Sequence, residues 1–234
     1  MNKPTQLIFP FQINQKASFE SFFCSSDNFN LMTRLADVVA SKNNHELIIL
    51  GERGSGKSFI MQAICNELSL AGKQFAFMPM NKAIKMGAEI FQNLASLDAV
   101  CIDDMQLMLA NEDWEIALFN LINECQQSNC SLILSFDGAQ LLDETIQLPD
   151  LLSRIKRMEL MVLHAVQDEV FNPALDFVAQ QLDITIEKAE LEFLLKHQTR
   201  EFSLLVENLI FLDKQAASLK RKITIPLIKE TLKL

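Results

Sequence analysis

The chain has 234 residues, of which 49% are hydrophobic and 22% charged, and its formal net charge is −9. This composition is typical of a soluble globular protein with one domain and a small addition, and it excludes disordered, collagen-like and low-complexity proteins. The acidic excess disfavours a general DNA-binding surface and favours protein partners or a metal-chelated nucleotide.

The chain begins with a polar segment, residues 1–18, that surrounds one apolar patch. Pro4 and Pro10 discourage a helix there, so we expect a flexible leader. Further on, five apolar runs are typical of strands in a parallel sheet covered by helices on both faces. These runs are residues 46–50, 74–80, 99–103, 131–136 and 158–163, and helix-length patterns separate them.

After about residue 166 the pattern becomes entirely helical. Four helical segments are predicted, at residues 175–182, 186–195, 202–217 and 225–232. The sequence therefore predicts an α/β domain over residues 19–165, with a three-layer arrangement and a five-stranded parallel sheet, followed by a small helical subdomain over residues 166–234.

Five cysteines, an odd number without C-x-x-C spacing, indicate buried free thiols in a reducing compartment. No apolar run reaches the length of a membrane span, and the leader is too polar for a signal peptide. We therefore expect a cytoplasmic protein.

The most specific motif follows the first predicted strand and precedes a helix. It matches the phosphate-binding pattern G-x-x-x-x-G-K-[ST], in which glycines let backbone N–H groups surround a phosphate at a helix N-terminus. In that pattern the lysine reaches the β- and γ-phosphates, and the final hydroxyl binds Mg²⁺. The alternative is a plain glycine-rich turn. The motif residues are Gly51, Glu52, Arg53, Gly54, Ser55, Gly56, Lys57 and Ser58.

Two further strands end in carboxylates. Asp103 and Asp104 close the third strand, and Asp137 follows the fourth. Beside a phosphate loop, Asp103 is expected to hold Mg²⁺ through water, Asp104 to orient the attacking water, and Asp137 to sense the γ-phosphate or water. Helix caps and ordinary turn residues are the alternatives.

A short helix with Pro149 in its first turn carries Arg154 about one turn later. Such an arginine is either a solvated charge or a guanidinium offered to a neighbouring subunit's phosphates, as an arginine finger is.

The leader combines one amide with several apolar anchors, which favours either a peptide that docks into a partner's groove or a tail that packs on its own domain. The residues concerned are Gln6, Leu7, Phe9, Pro10 and Phe11.

From Phe19 to Leu234 the pattern resembles an AAA+ domain, and more narrowly the DnaA family. The resemblance implies an adenine pocket at Phe22 and Phe23, a Walker B motif ending in Asp103 and Asp104, a first sensor at Asp137 and an arginine finger at Arg154. The helix over residues 199–213 resembles the second-sensor helix, in which Ser203 takes the arginine's place and Arg200 could substitute.

The chain ends before a DNA-binding domain and so resembles the Hda branch of that family, regulatory inactivators of DnaA. In that branch a leader peptide binds the DNA polymerase III sliding clamp. The resemblance implies an adaptor that binds ADP or ATP with Mg²⁺, links the clamp to DnaA and stimulates hydrolysis of DnaA-bound ATP, which inhibits re-initiation of replication. It implies weak or no intrinsic ATPase activity and no sequence-specific DNA binding, and it allows a homo-oligomer.

The alternatives are a stand-alone ATPase such as a DnaC-like helicase loader, in which Lys57, Asp103 and Asp104 act in cis, and a nucleotide-stabilised scaffold without a catalytic role.

Overall fold

The computed structural model describes residues 11–138, 142–198 and 201–234. Five strands form one parallel sheet, as predicted, and their order is β2-β3-β4-β1-β5. The strands are β1 Glu46–Gly51, β2 Phe75–Pro79, β3 Ala99–Asp103, β4 Ser131–Asp137 and β5 Glu159–Val162.

Helices cover both faces of this sheet and continue beyond it. Within the described residues they are α1 Phe29–Ala40, α2 Lys57–Leu70, α3 Met80–Ala83, α4 Glu112–Ser128, α5 Leu142–Thr145, α6 Pro149–Ile155, α7 Phe171–Gln181, α8 Lys188–His197, α9 Phe202–Leu219 and α10 Ile225–Leu232.

The register of the sheet brings the ends of its strands together. Gly51 at the end of β1 is paired with Asp137 at the end of β4, and Pro79 in β2 is paired with Asp103 in β3. We call this side of the sheet the carboxyl edge, and the side at which the strands begin, marked by Glu46, the amino edge. Because all strands run in one direction, every loop that follows a strand opens at the carboxyl edge.

Two apolar clusters lie on opposite faces of the sheet. One includes side chains of α1 and α2, such as Leu35 and Ile64, and the other includes side chains of α4 and α6, such as Leu118 and Leu151. Burial on both faces explains why the strands read as continuous apolar runs in the sequence.

The four last helices share a third cluster of their own. Leu175, Leu194, Leu209 and Ile228, one from each of α7 to α10, are fully buried in it. A core separate from the two that cover the sheet makes this helical bundle a distinct packing unit.

The segment between β2 and β3 differs from the predicted helix-length element. It contains the single-turn α3 and three short 3₁₀ turns, at Ile84–Met86, Ala88–Phe91 and Leu94–Ser96. Gly87 and Asn93 have φ angles of +88° and +64°. A left-handed residue ends a right-handed helix, and two of them within seven residues keep the segment irregular.

Residues 11–18 lie against α2. The backbone N–H of Asn14 donates to Gln62 Oε1 over 2.9 Å, and the side-chain amide of Asn66 donates to the carbonyl oxygens of Asn14 and Ala17 over 2.9 and 2.7 Å. Phe11 packs against both clusters of the sheet, and Ala17 is buried. This part of the predicted leader is therefore attached to the α/β domain.

The cysteines are free thiols, four of them buried and Cys24 exposed. None of the helices in the described ranges has the length and apolar character needed to cross a membrane.

Candidate functional site

The glycine-rich loop between β1 and α2 lies at the carboxyl edge. Gly54 and Gly56 have φ angles of +81° and +96°, a left-handed conformation that side-chain-bearing residues rarely adopt. A Cβ atom at Gly56 would approach the ring of Phe22 to 2.9 Å, so a substitution there would be both strained and crowded. The loop leads directly into the first turn of α2, where backbone N–H groups point outwards without helical partners.

Lys57 and Ser55 supply the polar side chains of this loop. The Lys57 ammonium is only 7% exposed, and it donates to the carbonyl oxygens of Gly51 and Glu52 over 2.6 and 2.9 Å. Burial lowers the pKa of Lys57, while the nearby carboxylates, Asp137 first among them, raise it in part. The buried Ser55 hydroxyl oxygen finds no hydrogen-bond partner among the described residues.

These observations test whether the loop suits a phosphate group. A buried cation, an unpartnered hydroxyl and the N–H groups of a helix N-terminus are all donors that a phosphate oxygen can accept from. The residues present therefore fit a bound phosphate.

Asp103 lies beside the loop and is 3% exposed. The Ser135 hydroxyl donates to its Oδ1 atom over 2.6 Å. Burial raises the pKa of Asp103, and the hydroxyls of Ser135 and Ser58 counter the rise in part. The two residues predicted to bind metal, Ser58 and Asp103, are thus close enough to interact, and their oxygens are of the hard type that Mg²⁺ prefers.

Asp104 and Asp137 are joined through a glutamine. The Gln106 amide donates to Asp104 Oδ1 over 2.9 Å, and its carbonyl oxygen accepts from the backbone N–H of Asp137 over 3.2 Å. The Ser135 hydroxyl accepts from the backbone N–H of Asp104 over 2.8 Å. Gln106 therefore links the carboxylate of Asp104 to the backbone of Asp137.

Sequence reasoning missed Ser135 and Gln106. A hydroxyl in the middle of the otherwise apolar run 132–136 was the signal for Ser135, which is fully buried. Gln106 gives no comparable signal, since glutamine after a strand is common at protein surfaces.

Two phenylalanines predicted at the adenine pocket lie between the core and the last helices. Phe22 is close to Gly56 and has its ring centroid 6.1 Å from that of Phe59, while Phe23 makes an edge contact with Phe177 of α7 at 5.7 Å. Asn28 is buried and exchanges two 2.9 Å hydrogen bonds with the backbone of His164. These contacts join the segment before α1 to the start of the helical bundle.

A cleft of about 360 Å³ opens between the loop and the bundle. Glu52, Arg53, Gly54, Glu201 and Phe202 contribute to its walls. Ser203 also faces the loop, because a Cβ atom on Gly54 would lie 3.0 Å from its hydroxyl oxygen. That hydroxyl donates to Glu201 Oε1 over 2.9 Å, so α9 presents a hydroxyl and a carboxylate here. Arg200, the predicted substitute for the second-sensor arginine, lies outside the described residues.

Arg154 lies away from these groups. Its Nη1 atom donates to Gln126 Oε1 over 3.4 Å, and the Gln126 amide donates over 3.1 Å to Glu46, the first residue of β1. Glu46 and Gly51 are five residues apart in one strand, which corresponds to about 17 Å. The structure thus places Arg154 near the amino edge, on the other side of the sheet from the loop of its own chain.

Of the predicted leader motif, Gln6, Leu7, Phe9 and Pro10 lie outside the described residues. Phe11 is described, is half-buried and packs on the core.

The parallel sheet, the glycine-rich loop with Lys57, the buried Asp103 and the helical bundle together define a P-loop nucleotide-binding protein of the AAA+ class. Domain III of DnaA from Thermotoga maritima superimposes with a TM-score of 0.80 at 17% identity, over 95% of this chain and 98% of that chain. AMPPCP-bound DnaA from Aquifex aeolicus superimposes with a TM-score of 0.67 at 20% identity, over 89% and 69% of the two chains. A RuvB variant from Thermotoga maritima gives 0.65 at 14% identity, over 93% and 71%.

Family models narrow the assignment. The bacterial DnaA ATPase domain matches residues 13–157, more than half of the chain, and the lid domain of Hda matches residues 168–232. The chain belongs to the Hda/DnaA family of AAA+ proteins, and the AAA+ fold with a helical lid predicted from the sequence is confirmed.

Proposed function

We propose that this chain is an adaptor that stimulates hydrolysis of ATP bound to DnaA and so limits re-initiation of DNA replication. Its leader, residues 1–18, would bind the DNA polymerase III sliding clamp through Gln6, Leu7, Phe9 and Pro10, while Phe11 stays packed on the core. Its core, residues 19–165, and its lid, residues 166–234, would hold an adenine nucleotide. Arg154 would act on the nucleotide of the partner, DnaA.

The position of Arg154 carries this proposal. A guanidinium near the amino edge is too far from the glycine-rich loop of its own chain to contact a phosphate there. It is half-buried and held by one 3.4 Å hydrogen bond, so it can reorient towards a neighbouring molecule. An arginine supplied in trans stabilises the charge on a transferring phosphoryl group and can raise the rate of hydrolysis by ~10³–10⁵.

The chain's own nucleotide is proposed to be ADP or ATP with Mg²⁺. The AMPPCP-bound DnaA structure supports an adenine nucleotide in this family's fold. Here the loop from Gly51 to Ser58 and Lys57 would bind the phosphates, while Phe22 and Phe23 would border the base. Ser58 and Asp103 would hold the metal, which neutralises phosphate charge when it is bound. Because Ser203 stands where the resemblance implies the second-sensor arginine, we propose that turnover in cis is slow.

The test of the arginine finger uses two neighbouring arginines. Arg154→Ala should reduce the stimulated rate of hydrolysis on DnaA by at least about 10³-fold, with clamp loaded on DNA present. Arg157→Ala, a matched control just beyond α6, should leave that rate unchanged. The measurement is release of phosphate from ATP bound to DnaA. Full stimulation by the Arg154→Ala variant would disprove the proposed role.

Clamp binding is tested separately, in the leader. A Gln6→Ala, Phe9→Ala double variant should lose co-elution with the sliding clamp, because it lacks the amide and an apolar anchor. Gln12→Ala, at an exposed position two residues after Pro10, is the control and should still co-elute. Retention of clamp binding by the double variant would refute the leader's role.

A second candidate is a stand-alone ATPase of the helicase-loader type. The close grouping of Lys57, Asp103 and Asp104 favours it, since these residues could support hydrolysis in cis. Turnover by the isolated chain that rises with single-stranded DNA and disappears in Asp104→Asn would favour this candidate over the adaptor.

A further inference from the structure

We infer that the buried carboxylate of Glu115 is a positioning residue for Arg154, because it fixes the start of the helix that carries the guanidinium. This inference rests on the proposed function of Arg154 as an arginine finger. Glu115 lies in α4 and hydrogen-bonds to Ala110, Gln147 and Leu148, none of which belongs to the glycine-rich loop.

Glu115 is 1% exposed, and its carboxylate is surrounded by backbone donors. Oε1 accepts from the N–H groups of Ala110 and Gln147 over 2.8 and 3.1 Å, and Oε2 accepts from those of Gln147 and Leu148 over 3.1 and 2.6 Å. A buried carboxylate is costly unless it is well hydrogen-bonded, so this arrangement is specific to an acceptor-only side chain.

The donors come from two separate segments. Ala110 has a φ of +60° and ends the turn that follows Asp104 and the 3₁₀ helix Met105–Leu107. Gln147 and Leu148 lead directly into α6, whose N-cap residue is Leu148. One carboxylate therefore ties the loop after the Walker B acids to the entry of α6.

Arg154 follows Leu148 by six residues in the same short helix. Leu151 and Ile155 anchor the inner side of α6 in the apolar cluster, and Glu115 holds Leu148, the N-cap residue of α6. With both constraints the helix has a defined position along α4, and the guanidinium on its outer side has a defined starting point. A shift of about 1 Å at a positioning contact can cost about 10²-fold in rate.

The test compares Glu115→Gln with Glu124→Gln, which makes the same change at an exposed site of the same helix. Glutamine has the shape of glutamate, but it lacks the charge and turns one acceptor into a donor that faces backbone N–H groups. We expect the maximal stimulated rate to fall at least tenfold in Glu115→Gln, while the concentration for half-maximal stimulation and the affinity for ADP change less than twofold. Glu124→Gln should match the unmodified chain in all three measurements.

A second pair of variants removes a donor instead of the acceptor. Leu148 has a φ of −81°, which proline can adopt, so Leu148→Pro deletes the N–H group that donates over 2.6 Å. Leu148→Ala shortens the side chain and keeps that N–H group. The proline variant should lose stimulation at least fivefold more than the alanine variant. This pair decides the question even if Glu115→Gln does not fold.

Hydrogen exchange separates this inference from the proposed function. The peptide that spans residues 146–155 should exchange faster in Glu115→Gln and Leu148→Pro, and at the normal rate in Arg154→Ala. Unchanged exchange together with full stimulation in both positioning variants, while Arg154→Ala is inactive, overturns the role of Glu115 alone. Full stimulation by Arg154→Ala overturns the arginine finger, and with it the positioning role.

Discussion

Charged side chains are held differently at the carboxyl and amino edges of the same sheet. At the carboxyl edge Lys57 and Asp103 are buried and joined to the backbone and to Ser135 by hydrogen bonds of 2.6–2.9 Å. At the amino edge Arg154 rests on one 3.4 Å contact with Gln126. A rigid, buried group suits a binding site that must be prearranged, whereas a loosely held cation suits a site that is completed only when a partner binds.

The amino edge also holds a second arginine with a different role. Arg34 forms two 2.8 Å hydrogen bonds with Glu159 of β5, and its Nη2 atom lies 3.3 Å from His45 Nδ1. Burial, followed by the charge of Arg34, lowers the pKa of His45. Among the described residues Arg34 is paired with a carboxylate, whereas Arg154 is held by an amide, which makes Arg154 the better candidate for interaction with another molecule.

The largest expected effect is at the carboxyl edge. Lys57→Ala removes the buried ammonium that would pair with phosphate, and losing one partner of such a charged pair costs about 2–5 kcal/mol. The affinity for ADP, measured by isothermal titration calorimetry, should fall about 30-fold to several-thousand-fold. Arg154→Ala, at the other edge, should change that affinity less than twofold, and an equal loss in both variants would break the comparison.

A smaller effect follows from the raised pKa of Asp103. Mg²⁺ requires the ionised carboxylate, so the proton competes with the metal at a higher pH than it would at an exposed aspartate. As the pH falls below the raised pKa, the Mg²⁺-dependent part of the affinity for ADP should fall by about tenfold per pH unit. Asp103→Asn should remove this dependence, and its persistence would mean that Asp103 does not hold the metal.

The same shift predicts the sign of a stability change in the metal-free chain. The pKa of Asp103 is raised from 3.8, mainly by burial, so the folded state retains the proton more tightly than the unfolded state. Its contribution to the free energy of unfolding is present below pH 3.8 and is lost as the pH rises through the raised pKa. Asp103→Asn should lack this change in urea unfolding.

The smallest effect is expected at the amino edge, for the ion pair of Arg34 and Glu159. Hydrogen bonding from Arg34 lowers the pKa of Glu159 below 4.5, so the stabilisation exists at neutral pH and is lost as the pH falls through the lowered value. Both side chains are about a third exposed, at 32% and 39%, and solvent screens the pair. Glu159→Gln should cost up to about 1 kcal/mol at pH 7 and nothing near pH 2. The exposed Glu144→Gln is the control, and a cost that is insensitive to pH would exclude the ion pair as its source.

Much of the sheet could be predicted from the sequence because its strands are buried on both faces. The runs beginning at Glu46, Ala99 and Ser131 start at the residues where the strands start. The segment after Met80 could not be predicted in the same way. Its apolar residues have helical spacing, but left-handed backbone at Gly87 and Asn93 interrupts any continuous helix.

The candidate site likewise has a part that the sequence predicts and a part that it does not. Its glycine-rich loop is contiguous, and parallel strands bring Asp103 and Asp137 to the edge where that loop lies, so their proximity follows from the strand pattern. Ser135 and Glu115 act on backbone groups about 31 to 33 residues away in the chain, and those pairs depend on the exact path of the loops. The roles of all these residues stay predictions until the variants are measured.

The packing of Phe11 limits how far the leader can extend from the core. Gln6 lies five positions before Phe11, and even a fully extended chain over those five steps spans at most about 18 Å. If the sliding clamp binds at Gln6, the clamp must lie almost against the surface of α2. A tether this short would hold the clamp and the core at an effective concentration in the millimolar range and would restrict how the clamp can rotate.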